Sequence, residues 1–419
     1  MGSNRNEKNM KAVVFTLGCK VNGCESASLI SGLKSLGYDV TDKLGYADLY
    51  IINTCAVTAE AEKKSRQTVA RARKFNKSAK IIVTGCASQH SPDDFLKKEG
   101  VTLVTGANAK DRIIEEINEV GFRKFDDEGY YEKYLPENPS RTRAYIKVQD
   151  GCNNFCSYCI IPYLRGRSRS RKPENVVAEI QRLSPLEAVI TGINLSAYNY
   201  ENIGLKGLID RLIDVNCRIR LGSLEVGIIT EEFLSALKNL KNFAPHFHLS
   251  LQSGSNKVLK SMNRRYDRET YIEKCNLIRK YFPSAAITTD IIVGYSTETE
   301  EDFLDSVNLC KEVKFADVHC FPYSKREGTV GAKLKELPSS VKDARMDVLL
   351  AVKKELKENF INNYIGKTLS FVPEEVENGY TVGYTDNYIR VYVKGEIPLK
   401  ECDIQLIEGF LDGATAKIV

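Results

Sequence analysis

Short apolar runs alternate with amphipathic stretches over the first third of the chain. The apolar runs have strand length and cover residues 13–17, 49–52, 81–84 and 101–104. Between them, residues 26–36 and 59–74 carry apolar side chains at helical spacing. Strands that alternate with helices are typical of a parallel sheet covered by helices. The pattern predicts an α/β fold that begins with a doubly wound parallel domain over about residues 10–140.

The same alternation of strands and helices continues over about residues 141–360. Strand-like runs cover residues 144–148, 188–191, 218–222, 246–251, 287–293 and 317–321. Helical spacing covers residues 173–183, 205–215, 231–240, 268–281 and 298–313. Six successive βα units predict a partial (β/α)6 barrel, with its chemistry at the carboxyl ends of the strands.

The last segment, residues 361–419, changes to alternating apolar and polar positions. Short strands are predicted at residues 369–372, 380–384 and 389–393, which together indicate a small all-β barrel. Small barrels often bind RNA. This segment carries more acidic than basic side chains, so RNA binding there would use a local stripe or aromatic residues such as Tyr384, Tyr388 and Tyr392.

Composition narrows the class of protein. The chain has 419 residues, of which 42% are apolar and 27% charged, and its net charge is only +5. This is a globular composition, and the length predicts two or three domains. No apolar run approaches the ~20 residues of a membrane span. Twelve cysteines without a signal peptide predict a reducing, cytoplasmic location and metal or redox chemistry.

Cys152, Cys156 and Cys159 form a C-x3-C-x2-C run directly after the first predicted barrel strand. A cubane iron–sulfur cluster has iron corners that are normally held by four thiolates. Three thiolates leave one iron open to a small molecule, as the open position of a catalytic zinc site does. The triplet therefore predicts a reactive [4Fe-4S] cluster with these cysteines as catalytic ligands.

Three other interpretations of the triplet are weaker. Structural zinc sites usually combine C-x2-C spacing with two further ligands nearby, and the four histidines are all distant in sequence. Three adjacent cysteines cannot pair off as disulfides, and the chain starts without a secretory signal. A ferredoxin run reads C-x2-C-x2-C-x3-C, which has another order and a fourth cysteine.

Cys19, Cys55 and Cys86 each follow one of the first three long strands. Ligands bind at the carboxyl edge of open parallel sheets, so these cysteines are predicted to converge there and to hold a second cluster. The alternative is that they are small buried side chains, as free cysteine often is. Their equivalent positions favour the cluster. Cys24 is a further possible ligand, but its place in the first helix favours a structural role.

Candidate ligand contacts follow the later barrel strands. They are Gly192, Asn194, Glu225, Gln252 and Arg264. Gly192 allows close approach of a ligand to the backbone, Glu225 is suited to a ribose, and Arg264 is suited to a carboxylate. We expect them to share one face of the barrel.

A basic run lies just beyond the cysteine triplet. It includes Arg165, Arg167, Arg169 and Arg171, for which nucleic-acid phosphates are the predicted partners. The helix at residues 59–74 is also basic. Either a solvated face or a phosphate contact explains its charges.

These features together resemble the radical S-adenosylmethionine methylthiotransferase family. The resemblance covers nearly the whole chain and includes a TRAM-like terminal barrel. It is carried by residues 16–22, 53–55, 84–86, 151–171, 248–254 and 321–324. Residues 18–22 and 151–159 are most similar to the branch that acts on threonylcarbamoyladenosine in tRNA.

The resemblance implies two [4Fe-4S] clusters and S-adenosylmethionine as cofactors. The triplet would hold the cluster that cleaves S-adenosylmethionine to a 5′-deoxyadenosyl radical. Cys19, Cys55 and Cys86 would hold an auxiliary cluster that delivers sulfur. The product would be a methylthio group on C2 of adenosine 37, presented by the tRNA anticodon stem-loop. A monomer, and an electron donor such as flavodoxin or ferredoxin, are also expected.

Two other functions compete at this level. One is an RNA-binding electron-transfer or cluster-scaffold protein without turnover. The other is the same enzyme class acting on a protein, as the branch that modifies an aspartate of a ribosomal protein does.

Overall fold

The computed structural model describes residues 10–125, 133–136 and 142–419, which fall into two compact units. The first unit contains the chain up to residue 137 together with residues 151–153 and 159–167. The second contains residues 138–150, 154–158 and 168–419. The predicted boundary at residue 140 lies outside the described residues. The limits 10–140, 141–360 and 361–419 therefore stay predictions.

The first unit is an alternating α/β fold. Its strands and helices are β1 (Lys11–Thr16), α1 (Lys20–Ser35), β2 (Asp39–Thr41), β3 (Leu49–Thr54), α2 (Ala59–Phe75), β4 (Lys80–Gly85), α3 (Cys86–His90), α4 (Pro92–Leu96), β5 (Val101–Thr105), β6 (Gly121–Arg123) and α5 (Ile161–Arg165), with a 3₁₀ turn at Lys110–Ile114. The strands β2 and β6 were not predicted.

All six strands of this unit are parallel, in the order β2-β1-β3-β4-β5-β6. Val13, Ile52 and Val83 belong to one apolar cluster, whereas their neighbours Val14 and Ile51 belong to another that includes α1 residues. Successive strand residues point to opposite faces. Burial of both faces explains why the strands are continuous apolar runs.

The second unit contains the barrel strands and the terminal β-barrel. Its elements are β7 (Arg143–Asp150), β8 (Arg169–Ser170), α6 (Pro173–Leu183), β9 (Glu187–Gly192), β10 (Asn199–Tyr200), β11 (Ile203–Gly204), α7 (Leu205–Asp210), β12 (Arg218–Leu221), β13 (Ser223–Leu224), α8 (Glu231–Lys238), β14 (His246–Leu249), α9 (Asn256–Ser261), α10 (Arg268–Tyr281), β15 (Ala286–Val293), α11 (Glu300–Val313), β16 (Asp317–Pro322), α12 (Ser339–Asn362), β17 (Thr368–Glu377), β18 (Tyr380–Thr385), β19 (Arg390–Lys394), β20 (Cys402–Phe410) and β21 (Gly413–Ile418).

The barrel strands form two sheets, ordered β12-β9-β7-β8 and β13-β14-β15-β16. Apart from the antiparallel β8, the neighbours in both sheets are parallel. Strands β17 to β21 close into a barrel in the order β17-β18-β19-β21-β20. The predicted α/β fold class, with a partial βα barrel and a small terminal β-barrel, is confirmed.

The terminal β-barrel packs on the amino ends of β7, β9 and β12. Glu187 begins β9 and forms ion pairs with Arg218 at 2.7 Å and with Arg220 at 2.8 Å. Arg220 also donates to the carbonyl oxygens of Thr385 at 2.9 Å and Asp386 at 3.0 Å. All three charged side chains are fully or almost fully buried. The interface therefore depends on a buried charge network.

Aromatic rings of the terminal barrel complete this interface. Tyr388 stacks on His246 with ring centroids 4.1 Å apart and on Tyr384 at 4.8 Å. The guanidinium of Arg143 lies over the Tyr384 ring at 4.6 Å, and Arg220 lies over Tyr388 at 5.0 Å. The rings of Tyr384 and Tyr388 thus pack within the protein while staying half-buried, and their contact with RNA stays a prediction.

None of the helices in the described part of the chain is both long enough and apolar enough to cross a bilayer.

Candidate functional site

Cys19, Cys55 and Cys86 come together at the carboxyl edge of the first unit's sheet. They follow β1, β3 and β4, which are neighbours in that sheet. A Cβ atom on Gly18 would lie 2.8 Å from the Cys55 sulfur, and Cys55 interacts electrostatically with both other cysteines. The predicted convergence is therefore present in the structure, and their role as ligands stays a prediction.

Two asparagines hold the loops that carry these cysteines. Asn22 donates from its side-chain amide to the carbonyl oxygens of Leu17 at 2.7 Å and Thr54 at 3.0 Å. Asn53 donates to the carbonyl oxygen of Asn22 at 3.0 Å. Gly85 has φ of 109°, and a Cβ there would lie 2.5 Å from the Thr54 carbonyl oxygen. Only glycine fits this position without strain.

The three sulfur atoms are spread more widely than the ligands of one metal ion. Zinc–sulfur bonds of about 2.3 Å at tetrahedral angles place two sulfur atoms about 3.8 Å apart. Within the described ranges 10–125, 133–136 and 142–419, these sulfur atoms do not all lie within 4.8 Å of one another. A cubane cluster holds each thiolate on a separate iron. The donor set therefore fits a [4Fe-4S] cluster better than zinc.

Burial keeps two of these thiols protonated in the absence of a metal. Burial raises the pKa of the Cys55 thiol to about 11. It also raises the pKa of the Cys86 thiol, against the opposing effect of Arg165 and Lys110. A bound metal ion displaces such protons, so assembly of the predicted cluster would release them.

A buried pair of cations lies beside Cys86. Arg165, at the end of α5, hydrogen-bonds the Cys86 sulfur and pairs with Glu25 at 2.8 Å. Lys110 also pairs with Glu25 and donates to Asn53 Oδ1 at 2.9 Å. Two cations against one carboxylate leave a positive balance that suits thiolates. Sequence reasoning missed Glu25 and Lys110, whose partners are distant in the chain.

Backbone contacts hold the start of the cysteine loop, residues 151–153, which belongs to the first unit. The Cys152 amide donates to the carbonyl oxygen of Gly166 at 3.1 Å. Gly151 has φ of 66°, and a Cβ there would lie 2.0 Å from the Arg167 carbonyl oxygen. The backbone therefore approaches itself closely, and glycine is required at position 151. Cys152 and Cys159 are both partly exposed.

In the second unit, Cys156 is held beside Arg264. Arg264 Nη1 donates to the Cys156 sulfur at 3.2 Å and lies 3.2 Å from Glu225 Oε1. Asn154 Nδ2 donates to the same Glu225 oxygen at 2.5 Å. The Ser157 amide donates to the Met262 carbonyl oxygen at 3.0 Å. Two of the predicted cofactor contacts, Glu225 and Arg264, thus lie beside Cys156, whose role as a cluster ligand stays a prediction.

The other predicted cofactor contacts lie at the carboxyl ends of β9 and β14. The backbone N–H of Asn194 donates to Gln149 Oε1 at 2.8 Å. A Cβ atom on Gly192 would lie 2.9 Å from the Gln149 side chain. Gln252 has φ of 74°, and its backbone bonds to Asp290 and Ile292 beside β15. Their contacts with S-adenosylmethionine stay predictions.

The four predicted phosphate-binding arginines differ in exposure. Arg165 is fully buried on Glu25, and Arg171 is buried on Glu179, so neither can reach RNA and the prediction was wrong for both. Arg169 pairs with Asp150 at 3.0 Å, with 13% of its side chain exposed. Arg167 is exposed and remains a candidate.

Comparison with protein families matches two segments of the chain. Residues 146–310 match the radical SAM superfamily, and residues 11–106 match a family described as uncharacterized protein family UPF0004. These segments correspond to most of the βα barrel and to the cysteine-bearing parallel sheet.

Curated relatives match over almost the whole chain. The threonylcarbamoyladenosine tRNA methylthiotransferase MtaB of Bacillus subtilis is 38% identical over 410 residues, covering 92% of this chain and 91% of the relative. The protein of the same name from Thermotoga maritima is 38% identical, with 91% of each chain covered. A tRNA-2-methylthio-N(6)-dimethylallyladenosine synthase of Staphylococcus haemolyticus is 34% identical, covering 91% of this chain and 79% of the relative.

Solved structures share the fold at low identity. The radical S-adenosylmethionine methyltransferase TsrM from Kitasatospora setae aligns with a TM-score of 0.56 and 13% identity, covering 77% of this chain and 74% of that one. The cobalamin-dependent radical enzyme OxsB aligns with a TM-score of 0.53 and 12% identity, covering 83% and 56%. The curated relatives and the radical SAM match show that the chain belongs to the radical S-adenosylmethionine methylthiotransferase family and is an enzyme of that class.

Proposed function

We propose that the protein adds a methylthio group to C2 of N6-threonylcarbamoyladenosine at position 37 of tRNA. The observation that carries the proposal is the pairing of a C-x3-C-x2-C loop with three further cysteines at adjacent strand ends of one sheet. The choice of substrate rests on relatives of 35–38% identity whose names specify it.

Six cysteines would hold the two clusters. Cys152, Cys156 and Cys159 suit the cluster that binds S-adenosylmethionine, and the three strand-end cysteines suit the auxiliary one. When bound, these groups supply one-electron cleavage of S-adenosylmethionine and the sulfur atom for transfer. The protein itself positions, shields and tunes them.

Arg264 orients the S-adenosylmethionine side of the site. Its guanidinium is directed at the Cys156 sulfur, Glu225 and the Ser250 carbonyl oxygen, the last at 3.2 Å. A cation in this place favours the thiolate and offers charge to a bound carboxylate. Glu225 keeps 31% of its side chain exposed and can accept hydrogen bonds from a ribose.

Arg165 and Lys110 act on the auxiliary side. Both are buried near Cys86, where water cannot screen their charge. Their charge offsets that of the cysteine thiolates, so a cluster there is easier to form and to reduce. Both are positioning residues, because they act through cysteine ligands.

The tRNA would meet exposed cations of the first unit. Helix α2 exposes Lys63, Lys64, Arg71 and Lys74, and Arg167 is exposed in the segment after α5. Phosphate contacts from such a face would hold the anticodon stem-loop without reading sequence. Adenosine 37 must leave its stack to react, because enzymes modify bases outside the stack. A flavodoxin or ferredoxin electron donor, a monomeric state and a cytoplasmic location belong to the same proposal.

Mass spectrometry of tRNA nucleosides tests this proposal. Cells that lack the gene should lose the 2-methylthio form of threonylcarbamoyladenosine and accumulate its precursor. Complementation with the intact gene or with Cys24→Ala should restore the product, whereas Cys152→Ala should not. Loss of the 2-methylthio form of dimethylallyladenosine instead would assign the substrate of the second group of relatives. Unchanged tRNA would point to a protein substrate or to a protein without turnover.

A further inference from the structure

Three neighbouring strands of the second unit bring two imidazoles and a carboxylate together. His248 lies on β14, Asp290 on β15 and His319 on β16. His248 Nε2 is 3.1 Å from Asp290 Oδ2, and His319 Nδ1 is 3.2 Å from Asp290 Oδ1. Among the described side chains, no other group of three His, Cys, Asp or Glu residues has all its ligand atoms within 4.8 Å of one another.

The spacing of these atoms matches the coordination sphere of a single metal ion. Zinc bonds to nitrogen and oxygen of about 2.0–2.2 Å, at a tetrahedral angle, place neighbouring ligand atoms about 3.3 Å apart. The two separations, each to a different oxygen of Asp290, are close to this value, and one ligand atom from each of the three residues lies within 4.8 Å of the others. Two histidines with one carboxylate are also the donor set of many divalent iron sites. Three protein ligands leave a position open for an oxygen ligand.

A second layer of hydrogen bonds orients His248. Thr288 Oγ1 lies 2.9 Å from His248 Nδ1 and 2.9 Å from His246 Nε2. The hydroxyl has one hydrogen, so it can donate to only one of these rings. If it accepts from His248 Nδ1–H, neutral His248 presents a bare Nε2 to the Asp290 carboxylate. Two lone pairs at that distance require a cation between them, either a proton or a metal ion.

The group can be reached from solvent. The His319 side chain is 45% exposed, and that of Asp290 is 23% exposed. His319 and Thr288 also line a cavity of about 220 Å³ between β15, β16, α12 and the terminal barrel. An ion can therefore enter without unfolding of the barrel.

We propose that His248, Asp290 and His319 bind one divalent transition-metal ion, separate from the clusters held by cysteine. The open position would accept a water molecule or an oxygen atom of a bound anion. The proposal does not depend on the substrate of the enzyme, because it rests on the donor atoms alone.

Equilibrium dialysis against Zn²⁺ tests the site. The protein should carry no histidine tag and should have its iron–sulfur clusters assembled under anaerobic conditions. Elemental analysis then gives zinc and iron per chain. We expect about one zinc ion per chain at unchanged iron content. His319→Ala and Asp290→Asn should each abolish this zinc, whereas His90→Ala, the matched control on α3, should retain it.

Two results would overturn the proposal. One is zinc binding at the same stoichiometry in both ligand variants, which would place the ion elsewhere. The other is no zinc above the His319→Ala level, which would leave only a hydrogen-bonded His–Asp–His network. His319→Ala decides the matter even if Asp290→Asn fails to fold, because the exposed His319 side chain can be removed without opening the core.

Discussion

Arg165 donates to both carboxylate oxygens of Glu25, at 2.8 Å to Oε1 and at 3.2 Å to Oε2. The contact joins the segment that follows Cys159 to the first helix of the parallel sheet. In the same segment, Ile160 and Leu164 are buried in an apolar core of this unit. The loop that carries Cys152 and Cys159 is therefore anchored by both a charge pair and apolar packing.

Substitution Arg165→Gln should destabilise the protein strongly. It removes two hydrogen bonds to the buried Glu25, which keeps its ion pair with Lys110. Hydrogen bonds to charged groups contribute roughly 1.5–3 kcal/mol each. Chemical denaturation of the cluster-free chain measures this change. Lys63→Gln, at an exposed position of α2, should change the free energy of unfolding by less than about 0.5 kcal/mol. Equal effects of both variants would show that the Arg165 pair does not stabilise the unit.

The iron content of cysteine variants should distinguish the predicted cluster ligands from Cys24, which is predicted to be structural. In reconstituted protein, Cys55→Ala should lower iron from about eight to about four atoms per chain, because one cubane is lost. Cleavage of S-adenosylmethionine should continue, while methylthiolation of tRNA stops. Cys24→Ala should keep full iron content. An unchanged iron content in Cys55→Ala would contradict the auxiliary cluster.

Acid should weaken the interface built around Glu187. Burial alone would raise the pKa of Glu187. The charges of three neighbouring arginines outweigh this effect and lower the pKa to about 2; they are Arg220, Arg218 and Arg143. The pKa of an unfolded glutamate is about 4.3, so Glu187 stabilises the folded state at all pH values above this. The stabilisation is lost as the pH falls from about 4.3 toward the folded pKa of about 2. The contribution is on the order of 3 kcal/mol.

Urea unfolding of the cluster-free chain between pH 6 and pH 3 measures this effect. Glu187→Gln should be less stable than the parent at pH 6, and its stability should fall less steeply on acidification. Glu355→Gln, at an exposed position of α12, should follow the parent curve. Parallel curves for parent and Glu187→Gln would show that Glu187 does not carry the acid sensitivity.

Removal of the Tyr388 ring should loosen the terminal barrel. Tyr388→Ala deletes the stacking on His246 and Tyr384 and leaves Arg220 without its aromatic face. Tyr388 is half-buried, so the loss should be smaller than the roughly 3–5 kcal/mol that a fully buried aromatic side chain costs. Tyr46→Ala, at a position that is 63% exposed, is the matched control. Limited proteolysis should release the terminal segment sooner in Tyr388→Ala, and equal rates in both variants would contradict the packing role.

Charge reversal on α2 should weaken tRNA binding. Lys64→Glu with Arg71→Glu should lower affinity for all tRNAs alike, because phosphate binding does not depend on base sequence. The slope of log affinity against log salt should fall by roughly one unit for each phosphate that α2 no longer neutralises. Lys354→Glu, on the exposed face of α12, is the control. If the control and the α2 variant bind with equal affinity, α2 is simply a solvated face.

The strand-end cysteines were predictable because each signal is local. A parallel strand is an apolar run, and the residue after it lies at the ligand edge of the sheet. Cys19, Cys55 and Cys86 needed only that rule. The short strands β2 and β6 were missed, because three residues such as Asp39–Thr41 carry no readable periodicity.

Buried charges were predicted less well, since their partners are far away in sequence. Arg165 and Arg171 look like parts of a surface stripe, yet each has a buried carboxylate partner. A run such as Arg218-Ile219-Arg220 did contain a signal. Alternate residues of a strand share a face, so two arginines spaced in this way within an apolar run indicate a common buried acceptor.

Three arginines at the amino ends of β7 and β12 limit whether the terminal β-barrel of this enzyme can be exchanged for another. Arg143, Arg218 and Arg220 are satisfied in part by Glu374 and by main-chain oxygens of residues 384–386. A chimaera that exchanged the terminal segment for that of a relative would have to supply equivalent acceptors. Without them, the three buried guanidinium groups would keep Glu187 but lose their other hydrogen-bond acceptors, so an exchange of the terminal barrel requires matching changes at these arginines.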